Sequence, residues 1–180
     1  MKKLILILLI LLFPALLFAG TKYQFDALSR VEYINLADIN SGYTGYAFGC
    51  QKDNWIYLAP AYNTDYTQVH GNVARYNTLK PIGDSNSWEF KCLADPVGST
   101  CLADFGSAQK DTDARGFHGC VSIGNYIYYI PLWKDLTAYT VNGHVVRYNT
   151  TGSFTDNASW EVFDMETDGT LNCSGCIGYV

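Results

Sequence analysis

Charge is scarce in this chain. Only 16% of its 180 residues are Asp, Glu, Lys or Arg, and the 12 Lys and Arg form no cluster. That argues against nucleic acid and anionic membrane as partners. Catalytic signatures are missing as well. The sequence has no Gly-x-Ser-x-Gly, no nucleotide-binding glycine loop and no His-Glu-x-x-His, so it names no reaction. No window of helical length carries a sustained apolar stripe at the helical period, which argues against a helical fold. Past the N-terminus there is no second apolar run long enough to span a bilayer.

The N-terminus itself reads as an export signal. Lys2 and Lys3 precede an apolar run, Leu4 to Phe18, broken only by Pro14, and Ala19-Gly20 offers a small-residue cleavage point. The run is shorter than the ~20 residues a spanning helix needs. No cysteine follows the cleavage point, which argues against a lipid anchor. Removing residues 1–19 leaves 10 Lys and Arg against 17 Asp and Glu. The expected location is therefore periplasmic or extracellular, with no membrane contact once the signal is cleaved.

What the chain does have is an internal copy. Gly71 to Glu89 reads GNVARYNTLKPIGDSNSWE, and Gly143 to Glu161 reads GHVVRYNTTGSFTDNASWE, with 10 of 19 positions identical at an offset of 72. Upstream, NWIYLAP (Asn54 to Pro60) matches NYIYYIP (Asn125 to Pro131) after a one-residue slip. A recurring unit of this size marks a repeat architecture, in which neighbours bury each other's faces. The organisation expected is a signal at 1–19, an N-terminal segment with a partial repeat at 20–45, repeat 1 at 46–116, repeat 2 at 117–172, and the start of a third repeat at 173–180. Gly49-Cys50, Gly119-Cys120 and Gly175-Cys176 open the units, while Tyr23 to Asp26 resembles a unit's end, Glu161 to Asp164. The chain is either a fragment of a longer array or one that closes the array by joining its two ends.

Each unit reads as four short strands. The first begins at the Gly-Cys pair. The second is Trp55 to Pro60 or Tyr126 to Pro131, rich in Ile, Tyr and Trp. The third runs from about Val69 to Tyr76 or Val141 to Tyr148, and the fourth starts at Trp88 or Trp160. Between third and fourth lies a turn segment full of Asn, Asp, Ser, Thr and Gly. Along the second strand both alternating sets, Tyr126/Tyr128/Ile130 and Ile127/Tyr129/Pro131, are apolar or aromatic. A half-exposed sheet would alternate apolar with polar, so stacked sheets are expected. A two-sheet sandwich is the alternative, but it leaves the duplication unexplained.

Taken together, Gly119-Cys120, NYIYYIP, NGHVVRYNT (Asn142 to Thr150) and the Phe154 to Asp164 run resemble the repeats of kelch-like β-propeller proteins, over roughly residues 46 to 180. The resemblance implies an all-β fold of propeller-type, four-stranded antiparallel blades, two whole and two partial, in an incomplete array. It implies a first strand lining a central channel and a fourth lying outermost. It carries no catalytic residue.

Six cysteines, Cys50, Cys92, Cys101, Cys120, Cys173 and Cys176, in an exported chain favour disulfides. Cys92 and Cys101 bracket an insert absent from repeat 2 and are expected to staple it. Cys173-x-x-Cys176 lacks the further ligands a zinc site needs. Asp164 to Gly169 resembles the first half of a calcium loop, but the closing position falls at Gly175, which has no carboxylate. No cofactor is expected, with calcium at that loop the one open alternative.

Arg75 and Arg147, and Asp84 and Asp156, recur in both units, as do Trp88 and Trp160. Features present in every repeat usually serve the repeat, so a structural ion pair or hydrogen-bonded corner is expected ahead of an anion or sugar site. The loop after the second strand differs between units and is the candidate recognition site. It supplies Tyr62, Asp65 and Tyr66 in one unit and Trp133, Asp135 and Tyr139 in the other, with Tyr62 aligned to Trp133. Aromatic plus carboxylate suits sugars and protein surfaces. The expected function is an exported recognition module, its partner a carbohydrate or a protein, with further repeats or self-association covering the outer blade faces. The alternatives are a piece of a propeller enzyme acting on glycans, or a structural envelope protein.

Overall fold

The computed structural model describes residues 33–63, 66–94, 104–105, 109–110, 113–138 and 140–166. The expected export signal lies outside them. Among the described residues the fold is all-β, with short 3-10 turns and no α-helix, and so no helix long and apolar enough to cross a membrane. Repeat 1 forms a four-stranded antiparallel meander of β1 (Tyr46–Lys52), β2 (Trp55–Pro60), β3 (Asn72–Asn77) and β4 (Trp88–Cys92). The insert contributes a small hairpin, β5 (Asp104–Phe105) with β6 (Gln109–Lys110). Repeat 2 repeats the meander as β7 (Phe117–Ile123), β8 (Tyr126–Pro131), β11 (His144–Asn149) and β12 (Trp160–Asp164). Its loop after β8 holds a second hairpin, β9 (Trp133–Asp135) with β10 (Thr140–Val141).

The second and fourth strands begin where the sequence places them. The first and third do not. β1 and β7 start before the Gly-Cys pairs, because Gly45 and Gly116 at φ +69° and +64° end the preceding turn and release an extended chain. The third strands start later than expected, at Asn72 and His144. Val69 only bridges to Tyr62, and Val141 belongs to the small hairpin instead.

Turn chemistry is duplicated side chain for side chain. Asp84 and Asp156 each accept a backbone N–H two residues on and cap a 3-10 turn. The indole N–H of Trp88 donates to the Ile82 carbonyl, and that of Trp160 to Phe154, both at 2.8 Å. Tyr76 and Tyr148 hydroxyls donate to the carbonyls of Lys80 and Gly152. Thr78 and Thr150 return to Asn54 and Asn125. These recurring aspartates and tryptophans thus serve the repeat itself.

One hydrophobic core lies between the two sheets. Tyr57, Ala59 and Val73 of repeat 1 meet Phe117, Ile127, Tyr129, Val146, Tyr148, Phe154 and Trp160 of repeat 2. Tyr57, Arg75 and Glu89 form one cross-strand row on this face. The Arg75 guanidinium sits 4.1 Å from the Trp55 ring and 4.7 Å from the Phe154 ring. It donates to the Tyr148 hydroxyl at 3.1 Å and to Glu89 at 2.8 Å. Further out, the Lys91 ammonium donates to the Thr155 carbonyl and to Asn157 across the same seam. Burial pushes the Tyr148 hydroxyl up to about 12 and that of Tyr129 well above its ordinary value.

Of the two meanders, called sheet 1 (repeat 1) and sheet 2 (repeat 2), sheet 2 covers only one of its faces in this way among the described residues. Along β8, Ile127, Tyr129 and Pro131 are buried, while Tyr126, Tyr128 and Ile130 are half-exposed. Among the described residues a neighbouring sheet lies on one side only of β8; its other side is the outer face for which cover by further repeats or self-association is expected.

The cysteines add a covalent link between the sheets. Cys50 and Cys120 form a disulfide across the seam, a pairing the spacing did not suggest. Cys50 sits opposite Tyr57, and Cys120 opposite Tyr129. The second strands superpose Tyr57 on Tyr128, so the counterpart of Cys50 is Val121, opposite Tyr128. This one-residue slip turns the two thiols to opposite faces of their own sheets, and stacking the sheets brings them together. Cys92 is also disulfide-bonded, and its partner lies outside the described residues, as do Cys101, Cys173 and Cys176.

Two outcomes follow from the seam. Arg75 is 11% exposed and Arg147, its copy, 39%. Arg75→Ala should cost about 3 kcal/mol, since it strips a buried cation from its rings and its acid. Arg147→Ala should cost less than about 1 kcal/mol, and urea unfolding of the two variants checks the contrast. Peptide mapping without reductant should recover Cys50 joined to Cys120. Replacing both with Ser should lower stability by about 4 kcal/mol, the value for closing a loop of this length.

Candidate functional site

The loops after the second strands are tied down by one device used twice. The Gly45 carbonyl accepts both the Ala61 and Tyr62 amides, and the Gly116 carbonyl accepts both the Leu132 and Trp133 amides. A Cβ at Gly45 would lie 1.6 Å from the Tyr62 carbonyl oxygen, and one at Gly116 would lie 1.8 Å from that of Trp133, so glycine is required at both places. Tyr62 and Trp133 therefore occupy equivalent places, as their alignment in the sequence suggests. Beneath each is a buried polar anchor. His70 Nε2 lies 2.6 Å from the Thr44 carbonyl oxygen and 3.0 Å from that of Tyr62, while Nδ1 accepts from the Asn72 amide. Two carbonyls at Nε2 assign the proton there, and the ring is the neutral tautomer. In repeat 2, Asn142 does the same work. Its amide donates to the carbonyls of Asp113 and Arg115, and its oxygen accepts from the His144 amide.

Where the two loops meet there is a cleft of about 320 Å³. Thr67, Gln68 and Val69 line it from the repeat 1 loop, Arg115 from the linker, and Lys134, Asp135, Leu136 and Thr137 from the repeat 2 loop. Its electrostatics are mixed. Lys134 lies 4.0 Å from Asp113 and 3.7 Å from Glu166, and Arg115 reaches Asp113 at 3.5 Å. The Arg115 Nε is buried with no hydrogen-bond partner. Asp135 is exposed. Its Oδ1 accepts the amides of Ala138 and Thr137, which holds its carboxyl below the usual carboxylate range.

Of the six residues singled out from sequence, Asp135 lines the cleft. Trp133, half-buried in β9, lies two residues before it. Tyr62 is half-buried, and its ring centroid lies 5.6 Å from that of Tyr66. Tyr66 is 74% exposed and takes φ +57°. Asp65 and Tyr139 lie outside the described residues. Sequence reasoning missed Arg115 and Lys134. Neither belongs to a motif or recurs in the other repeat, and only the convergence of three chain segments brings them together. His70 was noted only for its neighbouring glycine, and its match to Asn142 is hidden by the change of residue type.

In the calcium-like segment, Asp164 accepts the Glu166 amide and Glu166 pairs with Lys134. The rest of that segment lies outside the described residues. Among the described residues no three His, Cys, Asp or Glu side chains gather as a metal site would require. No protein-family model and no curated protein matches the sequence.

The anchor makes a direct test. His70→Asn should keep most of the stability, because Asn142 fills the same role. His70→Ala should cost about 2 kcal/mol or more by leaving buried carbonyls and an amide unpaired. Thermal unfolding of the two variants distinguishes them.

Proposed function

We propose that the chain is an exported recognition module built of propeller-type blades, and that the cleft at the seam of its two repeats is where it takes its ligand. The observation that carries this reading is the convergence of three separate segments on one polar cleft whose scaffold is duplicated and whose lining is not. Scaffold held constant while contacts vary is the arrangement of a binding site. The meander order of the two sheets and their face-to-face packing support the blade reading and agree with the resemblance to kelch-like repeats. The disulfides fit an oxidising compartment, which supports export.

The cleft's chemistry suits a carbohydrate. Arg115 and Lys134 offer cationic donors, Gln68, Thr67 and Thr137 offer neutral polar groups, and Asp135 is an acceptor. The neighbouring exposed Tyr66 supplies a ring face of the kind sugars stack on. Cationic donors favour glycans that carry a carboxylate, such as uronic acids.

Titration with uronic-acid-containing and neutral oligosaccharides, followed by amide chemical shifts, tests this. Acidic oligosaccharides should shift Gln68, Arg115 and Thr137. Lys134→Ala should weaken binding about tenfold, the size expected for one charge-assisted hydrogen bond, with an unchanged circular dichroism spectrum. No shift with any glycan, or affinity indifferent to Lys134, would exclude the cleft as the sugar site.

A further inference from the structure

The open face of sheet 2 is a copy of the face that sheet 1 has covered. On sheet 1 the row is Tyr57, Arg75 and Glu89, with Trp55 beneath the guanidinium. On sheet 2 it is Tyr128, Arg147 and Glu161, with Tyr126 beneath the guanidinium at 4.7 Å. The ion pair is the same, with Arg147 Nη2 donating to Glu161 Oε2 at 2.6 Å. What differs is the surroundings. Arg75 is roofed by Tyr148 and Phe154 of the neighbouring sheet. Around Arg147 lies an open hollow of about 310 Å³ whose rim includes Val145, Val162 and Phe163. Ile123, Val121 and Phe163 on this face are 59%, 42% and 42% exposed. Contiguous apolar surface of this kind marks an interaction site.

The covered copy specifies what should lie on the open one. The roof over Arg75 is a tyrosine hydroxyl that accepts from the guanidinium while donating to its own turn, an apolar side chain above the cation, and a tryptophan bracing both from below. The chain carries that roof a second time. On the far face of sheet 1, Tyr76 donates to the Lys80 carbonyl, and Trp88 packs against Tyr76 with its ring tilted and donates to the Ile82 carbonyl. Tyr76, Ile82 and Trp88 hold the positions of Tyr148, Phe154 and Trp160. Tyr76 and Ile82 are half-exposed, and the neighbouring Leu79 is 74% exposed. Sheet 2 therefore presents an ion-paired but unroofed guanidinium on an aromatic and apolar face, and the far face of sheet 1 presents the group that roofs such a cation.

We propose that the sheet 2 face is an interface for a second copy of this chain, docked head to tail, with Tyr76 and Ile82 of one copy over Arg147 of the next. It continues the interface seen between the two sheets and does not depend on what the cleft binds. Because the two surfaces differ, the contact is heterologous, and it propagates into a ring or a filament according to whether its rotation closes.

Sedimentation equilibrium of the purified protein, with circular dichroism as a fold control, is the test. The unaltered protein should show a mass at least twice that of one chain, rising with concentration. Arg147→Glu should reduce it to one chain, because a carboxylate replaces the cation beside Glu161. Ile82→Lys should do the same by placing an ammonium against Arg147. The double variant should associate again, because the carboxylate introduced at position 147 of one copy meets the ammonium introduced at position 82 of the next. A symmetric face-to-itself dimer would not be rescued in this way. A single-chain mass for the unaltered protein up to its solubility limit would overturn the proposal. So would association that persists in both folded single variants, or a folded double variant that stays monomeric.

Discussion

The contact on which the structure turns is the guanidinium of Arg75. It is a charge held almost out of water between two sheets, a position that costs several kcal/mol unless the charge is matched. It is matched here on every side. Glu89 supplies the opposite charge, Tyr148 a hydroxyl acceptor, and the Trp55 and Phe154 rings two quadrupoles. The partners come from both repeats, so the cation is satisfied only when the sheets stack in one register. A sliding of sheet 2 by one residue would turn Tyr148 away and leave the charge buried and half-paired. Dispersion among the surrounding tyrosines and tryptophans supplies most of the attraction, but it is indifferent to small shifts. The arginine is what makes one register better than its neighbours, and the Cys50–Cys120 disulfide fixes the same registration covalently at the edge strands β1 and β7.

That disulfide shows how a repeat can use imperfection. Were the two units copied without a slip, the cysteines would occupy the same face of each sheet and point the same way, never toward each other. The Gly-Cys pairs are one residue out of step with the second strands. Period-two alternation converts that single step into a change of face. The information was present in the sequence as two unequal offsets, 70 for the Gly-Cys pairs and 71 for the second strands. It becomes a disulfide only once the strand register and the stacking of the sheets are known.

Legibility follows the same line. The second strands, and the starts of the fourth, are legible to the residue because β-branched and aromatic runs there begin against dense turn signals, and Trp88 and Trp160 mark the first residue after a capped turn. The starts of the first strands are not, since they are set by the positive φ of Gly45 and Gly116, and isolated glycines do not announce their sign of φ. The third strands are shorter than their composition suggests because Val69 and Val141 have strand composition but are pulled into local pairings, Val69 with Tyr62 and Val141 with Trp133. In the cleft, Asp135 was legible because the loops stand out as the part that differs between units. Arg115 and Lys134 were not, because a lone cation on a linker carries no pattern.

The same contrast separates scaffold from site in physical terms. The capping aspartates and the tryptophans that donate to their own turns are satisfied within their own repeats. Their bonds serve the turns they close. The residues of the cleft are satisfied less completely. The Arg115 Nε is buried without a partner, and Lys134 is shared between two carboxylates at 4.0 and 3.7 Å, beyond hydrogen-bonding distance. Incomplete satisfaction is costly in a folded chain, and a chain that has solved the same problem twice elsewhere, through Glu89 for Arg75 and Glu161 for Arg147, has the means to avoid it. The Tyr129 hydroxyl in the core is likewise buried without a partner. What sets the cleft apart is that its incompletely satisfied groups are cationic donors lying where three segments converge, which supports the reading that they are kept for something outside the chain.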